Sequence, residues 1–356
     1  MIKSLSPYYL SIPFTSPLTS VVCSEYTLQL FIWDGVKATP PGTASYEITK
    51  QNIAVSSGTD KINIARLLND YIDFTPQTMT TTGIYDGNNQ KWVKTQVIYT
   101  TIDEDDFEVV QLENTTLLLQ GYTYGLEGEN AQPPTNKILL SGDEFKVNRN
   151  GYFCLPIMLP EDDADTLSII SYPNEQINET IATPATTTSG ELVQNVWVNV
   201  SEATTDGTIE IVYNGETISL LITDECRYSP IDIAFQNKEG TMQTMTFFKA
   251  KSESMSVKSE DFESDRGQPS AGNHQMVTYN VQANSKFKMN SGFVDETMNE
   301  TFKQLFLSER VWKFDGTNYI PLKLGSKSLE YKTRMKDRLI NYEVEFEYAF
   351  NDINNV

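Results

Sequence analysis

Acid–base and nucleophilic chemistry at neutral pH most often recruits histidine, because its imidazole changes charge near that pH. This chain has one, His274, in the polar stretch Ser270-Ala271-Gly272-Asn273-His274. A Ser-His-Asp or Cys-His relay is therefore confined to that neighbourhood, and a lone histidine in a polar loop is more simply a solvated side chain. No Gly-x-Ser-x-Gly elbow, His-Glu-x-x-His helix or Gly-x-x-x-x-Gly-Lys loop occurs, which removes the signatures of serine hydrolases, zinc peptidases and P-loop enzymes. A glycosidase needs only two carboxyl groups. Acids are plentiful here, as in Asp103–Asp106, Asp162-Asp163 and Glu260-Asp261, but each group sits in a hydrophilic run where water keeps all its members ionised. Carboxylates at Asp103–Asp106 or Asp162–Asp165 suit calcium, yet neither run follows the EF-hand spacing. No catalytic, cofactor-binding or metal-ligating residue is assigned, and the chain reads as a non-enzyme that needs no cofactor.

The elements that would have to position any site are strands. Apolar residues make up 39% of the 356 positions, with 18 Tyr, 17 Phe and 4 Trp, which is enough to fill the cores of two to four domains of roughly 100–200 residues each. Period-2 alternation recurs throughout and 3.6-period segments are few, so the expected class is mainly β, built of antiparallel sandwiches. Tyr26 to Trp33 reads as a strand stopping at the turn Asp34-Gly35, with Ala44 to Thr49 as its partner, a short helix at Ile64 to Tyr71, and another strand at Trp92 to Tyr99. Phe153 to Leu159 reads as the last buried strand of an N-terminal unit, residues 1–160.

Residues 161–223 read as a small sandwich-like module. Its clearest feature is the hairpin Thr208–Tyr213, Asn214-Gly215, Glu216–Ile222, because Asn-Gly suits the two positive-φ positions of a type I′ turn. The Thr/Ala/Pro/Ser-rich stretch Thr180 to Gly190 lies between two of its strands. In residues 224–356 a hairpin is expected around Lys238-Glu239-Gly240, a long exposed loop over Ser259 to His274, and a helix over 293–307. On that helix Val294, Met298, Phe302, Leu305 and Phe306 share one face suited to packing on a sheet. The terminal stretch Ile340 to Phe350 alternates most regularly: Ile340, Tyr342, Val344, Phe346, Tyr348 and Phe350 on one side, Asn341, Glu343, Glu345 and Glu347 on the other.

Charge and cysteine usage narrow the partners. With 48 acidic and 27 basic residues the formal charge is −21, so duplex DNA is repelled and no specific nucleic-acid binding is expected. The nearest thing to a basic cluster, Lys332, Arg334, Lys336 and Arg338, alternates with other residues and reads as a solvated face. Cys23, Cys154 and Cys226 are odd in number and far apart, which fits neither a disulfide framework nor a metal pair. No apolar run reaches the ~18 residues of a membrane helix, and the opening residues lack an apolar leader core. No signal peptide, anchor or membrane insertion is expected.

Two stretches, "CRYSPIDIAFQNKEGTMQTMTFFKAKSESMSVKSEDF" (Cys226 to Phe262) and "FLSERVWKFDGTNYIPLKLGSKSLEYKTRMKDRLINYEVEFEYAFNDINN" (Phe306 to Asn355), resemble virion structural proteins of tailed bacteriophages that infect Bacteroidetes-type hosts. "YEITKQNIAVSSGTDKINIARLLNDYIDF" (Tyr46 to Phe74) is similar to the first domain of those chains. The likeness covers a little under half of the sequence and consists of packing residues. It implies a C-terminal sheet-plus-helix unit like that of tail-tube and distal-tail proteins. It also implies a tail or baseplate subunit, made in the host cytoplasm and assembled with copies of itself and other virion proteins into a ring, six-fold by expectation, around the DNA-ejection channel. In that setting Glu343, Glu345 and Glu347 would face the lumen and keep DNA from adhering. The alternative reading is a receptor-binding or glycan-binding tail-tip protein that uses the Thr180 to Gly190 loop; a carboxylate-based glycoside hydrolase ranks third.

Overall fold

The computed structural model describes residues 1–15, 22–51, 58–87, 89–101, 110–130, 137–159, 165–183, 193–203, 207–224, 227–263, 272, 274–326 and 339–353. The protein is mainly β, with two short α-helices among the described residues, Ala65–Asn69 and Asn299–Leu307. The acidic run Asp103–Asp106, most of the Thr180 to Gly190 loop, Cys226 and the basic stretch Lys332 to Arg338 lie outside the described residues.

The N-terminal sheet has five strands in the order Ile2–Lys3, Val110–Leu119, Gln90–Thr101, Cys23–Trp33, Tyr46–Gln51. Its regularity follows from the alternation in Cys23–Trp33. Tyr26, Leu28 and Leu30 fill a core with Ile64, Leu68 and Tyr99, under the short helix and the two-stranded pair Tyr9–Pro13 and Thr59–Asn63. Phe31 and Trp33, pointing the other way, join Trp92, Met158 and Val193. One face of this sheet is thus covered along its length, and the other only around Phe31, Trp33 and Trp92.

The middle of the molecule is a two-sheet sandwich that takes strands from both sides of position 160. One sheet is ordered Tyr152–Met158, Val193–Asn199, Gly83–Asp86, and the other Asn178–Ala182, Thr166–Tyr172, Thr208–Tyr213, Glu216–Thr223, Glu144–Asn148. Tyr152–Met158 does not close an N-terminal unit; it pairs along its whole length with Val193–Asn199. Glu144–Asn148 adds parallel to Glu216–Thr223. The expected boundary at 160 is thus crossed by hydrogen-bonded strands. The physical reason is burial: residues 153–158 are buried on both faces, so the strand needs a sheet partner and a cover on each side. The Asn214-Gly215 turn has the expected geometry, with φ +50° and +79°.

The C-terminal sheet has seven strands in the order Met242–Phe247, Ile231–Gln236, Val311–Phe314, Tyr319–Leu324, Glu343–Tyr348, Met276–Asn290, Ser252–Glu263. Its core is continuous with that of the sandwich, from Ile138 through Leu220 and Phe247 to Phe346. The expected boundary at 223 is therefore crossed by packing. Within 293–307 only Asn299–Leu307 is α-helical; Val294-Asp295 is a short strand and Glu296–Met298 a 3-10 turn. Asp295 caps that turn, its carboxylate accepting from the Thr297 amide at 3.0 Å, which starts the helix later than periodicity alone suggests. Likewise Ile340 to Phe350 is two strands, Leu339-Ile340 paired with Val294-Asp295, and Glu343–Tyr348 in the main sheet.

Candidate functional site

A long hairpin lies at the end of the C-terminal sheet. Ser252–Glu263 pairs antiparallel with Met276–Asn290 from Ser252 opposite Lys288 to Glu263 opposite Met276. The inner strand is held by Glu343–Tyr348 only over Lys286 to Asn290, so the outer half of the hairpin projects as an arm. The expected loop over Ser259 to His274 is corrected here: residues 259–263 continue the strand, and His274 lies exposed just before the returning strand. Sequence reasoning missed the arm because Ser-Glu-Ser-Met-Ser-Val-Lys is polar at most positions. The alternation of serine with larger side chains at 252–257 is the signal that could have revealed it.

All twelve residues of Ser252–Glu263 are exposed. Among the described residues, sheet pairing uses one edge of this strand, as for the last strand of any open sheet. Glu253, Lys258, Glu260, Asp261 and Glu263 punctuate that edge, and such charges restrict which strand can add to it.

The arm is apolar on both faces in turn. At its root Phe287 is buried, with its ring 5.5 Å from Phe346 and 5.4 Å from Tyr348. Alternation carries the same face outward to Met255 and Val257, which remain 63% and 54% exposed. A register shift between Lys258 and Glu260 then places Asn280 at φ +49°, a bulge in which asparagine tolerates the left-handed backbone. Beyond it Phe262 and Tyr279 stack edge-on at 5.5 Å, and alternation along Ser252–Glu263 puts Phe262 on the face opposite Met255 and Val257. These side chains leave apolar surface in contact with water.

The helix residues expected to pack together do meet one core. Met298, Phe302 and Leu305 are buried, and Val294 and Phe306 are partly buried against the same cluster. Phe302 lies 4.3 Å from Tyr342, ring to ring. These residues hold the sheet rather than form a site.

The acidic residues of the terminal strand have lysines for neighbours. Lys288 pairs with Glu343 at 2.7 Å, while Lys286 lies 3.8 Å from Glu345 and 3.5 Å from Glu347. Asn284 donates to Glu347 at 2.7 Å, and Lys323 stands opposite Glu347 on the other neighbouring strand. The Asn284 hydrogen bond, helped by Lys286 and Lys323, holds the Glu347 carboxyl below its ordinary range against the opposing effect of burial. Three carboxylates facing three ammonium groups make a balanced surface. Cross-strand lysines thus lie beside the three glutamates expected to face a lumen.

No protein-family model matches the chain, and no curated protein and no solved structure matches it.

Proposed function

We propose that the protein is a structural subunit that assembles head to tail with copies of itself, the arm of one subunit docking on the next, as a ring component of a bacteriophage tail or baseplate. The observation that carries the reading is the outer strand Ser252–Glu263, exposed at every position and bearing Met255, Val257 and Phe262. A closed ring satisfies such an edge without leaving one free, because each heterologous contact repeats until the last meets the first. The bacteriophage setting rests on the sequence resemblance over Cys226 to Phe262 and Phe306 to Asn355. The role needs no catalysis and no cofactor, and it places the protein in the virion.

The test replaces Met255 and Val257 together by lysine. The wild-type chain at high concentration should give a mass, by light scattering or native mass spectrometry, that is an integral multiple of 40.2 kDa. The double variant should keep the wild-type circular dichroism, since both side chains are in water in the isolated chain, and should stay monomeric. A wild-type chain that remains monomeric and joins no particle refutes the reading, as does a variant that assembles normally.

A further inference from the structure

The core is incompletely filled at the end of the C-terminal sheet farthest from the arm. A cavity of about 40 Å³ lies there, with Phe145, Met245, Val294, Met298 and Phe302 as its apolar lining. Glu144–Asn148 is the end strand of one sheet and Met242–Phe247 the end strand of the other. Their side chains Phe145 and Met245 therefore meet where neither sheet continues, and the segment from Val294 to the helix closes the remaining side. A Cβ placed on Gly142 would lie 3.5 Å from the Phe145 ring and 3.8 Å from Met298 Sδ, so these two side chains share one wall.

The volume and the lining define what fits. Roughly 10–15 Å³ accommodates one water-sized atom, so this cavity takes about three heavy atoms and no six-membered ring. Two thioethers and two phenyl rings make a soft, polarizable wall that suits an aliphatic or sulfur-bearing group. The mouth is bordered by Glu144, Lys146 and Asp295. Lys146 Nζ donates to the Phe293 carbonyl at 2.7 Å and Asp295 accepts from the Thr297 amide at 3.0 Å, which holds both side chains to the protein.

We infer that this cavity receives the Met255 side chain of a second copy of the chain; the inference rests on the assembly reading and names the acceptor for the arm. Met255 is 63% exposed, and the end of its side chain, a methylene, a sulfur and a methyl, is three heavy atoms. The rings of Phe262 and Tyr279 are too large, and the Val257 methyls sit too close to the backbone to reach past the mouth. Met276 stands opposite Glu263, a carboxylate that Glu144 and Asp295 at the mouth repel. Met255 instead has Ser254 and Ser256 beside it and Ser285 opposite, small groups that approach a polar mouth without burying a charge. Placement agrees. Arm and cavity lie at the two ends of a seven-stranded sheet, about 29 Å apart at ~4.8 Å per strand, and a head-to-tail contact needs donor and acceptor on different parts of the subunit. Strand register puts Met245 and Met255 on the same face of that sheet. A neighbour displaced along the strand order therefore presents Met255 on the side where Met245 lines the cavity.

Cross-linking tests the pairing directly. Cys23 and Cys154 are buried, and Cys226 is replaced by serine throughout. Full-length chains carrying Met255→Cys and Val294→Cys, mixed at an assembling concentration and oxidised, are expected to give a disulfide-linked dimer on a non-reducing gel, and each alone to stay unlinked. A second measurement does not depend on the lining tolerating a change. Met255→Trp, at an exposed position, keeps apolar surface but exceeds the cavity, and is expected to raise the concentration for half-assembly about ten-fold or more, in line with loss of one buried side-chain contact. Met276→Lys should assemble as the wild type does. If the wild type assembles and the paired lysine substitutions at Met255 and Val257 abolish assembly, yet Met255→Trp assembles normally and no cross-link forms, the arm docks elsewhere and this inference alone is overturned. A wild-type chain that stays monomeric overturns the assembly reading and this inference together.

Discussion

Gly240→Ala is expected to lower the stability of the protein by about 2–4 kcal/mol, the sum of a left-handed backbone and a backbone collision. Gly240 sits at φ +83°, and a Cβ there would lie 2.6 Å from the amide nitrogen of Gly121 and 2.7 Å from the carbonyl carbon of Gln120. Neither neighbour is a side chain that can swing away. The contact is the joint between the N-terminal and C-terminal sheets. There the Tyr122 amide donates to the Lys238 carbonyl at 2.9 Å, Asn237 Nδ2 donates to the Leu139 carbonyl at 2.7 Å, and Lys3 pairs with Glu239 at 2.8 Å. Urea unfolding measures the loss, and hydrogen exchange at the Tyr122 amide reports whether the joint itself has opened. Gly35→Ala provides the control: its φ is +89° but a Cβ would meet nothing within 4 Å, so only the backbone cost of roughly 1 kcal/mol applies. Equal losses at the two positions would show that the close approach at the joint contributes nothing.

Phe302→Ala is expected to cost about 3–5 kcal/mol, the range for removing a large aromatic side chain from a closed core. Phe302 is fully buried and packs its ring on Tyr342, so its loss leaves a hole between the helix Asn299–Leu307 and the C-terminal sheet. The helix cannot collapse to fill it, because its other face is tied to the joint. Thr301 Oγ1 donates to the Ser141 carbonyl at 2.7 Å, and Gln304 Oε1 accepts from the Lys238 amide at 3.1 Å. Thermal melts followed by near-ultraviolet dichroism detect the change through the loosened aromatic packing. Phe293→Ala, at an exposed position six residues before the helix begins, should stay within about 0.5 kcal/mol of wild type. A similar loss at both positions would mean that the helix does not anchor the sheet.

The joint illustrates what no pattern in the chain announces. Gln243 lies in a strand that alternates as expected, yet its amide makes a closed pair with Ser141, donating to the Ser141 carbonyl at 2.9 Å and accepting from the Ser141 amide at 3.2 Å. A buried glutamine reads as a strand residue in sequence. Its meaning depends on a partner 102 positions away, and such networks are stabilising only when every member is satisfied. The arm is a different failure. Its first residues do alternate, but they alternate serine with mixed side chains, and the bulge at Asn280 shifts the phase of the returning strand, so the eye sees a polar loop.

By itself the sequence determined the strands of Cys23–Trp33, Gln90–Thr101 and Thr208–Thr223, the Asn214-Gly215 turn, and the apolar face that Met298, Phe302 and Leu305 turn to the core. Each of these is a local matter, because side-chain spacing alone decides whether one face of a segment can be buried. Tertiary structure alone decided that Glu144–Asn148 lies parallel to Glu216–Thr223, that Tyr152–Met158 belongs to the middle sandwich, that lysines stand beside Glu343, Glu345 and Glu347, and that Ser252–Glu263 is the exposed last strand of its sheet. Strand pairing and charge compensation are properties of two segments at once, and the energy that selects one partner over another exists only when both are brought together.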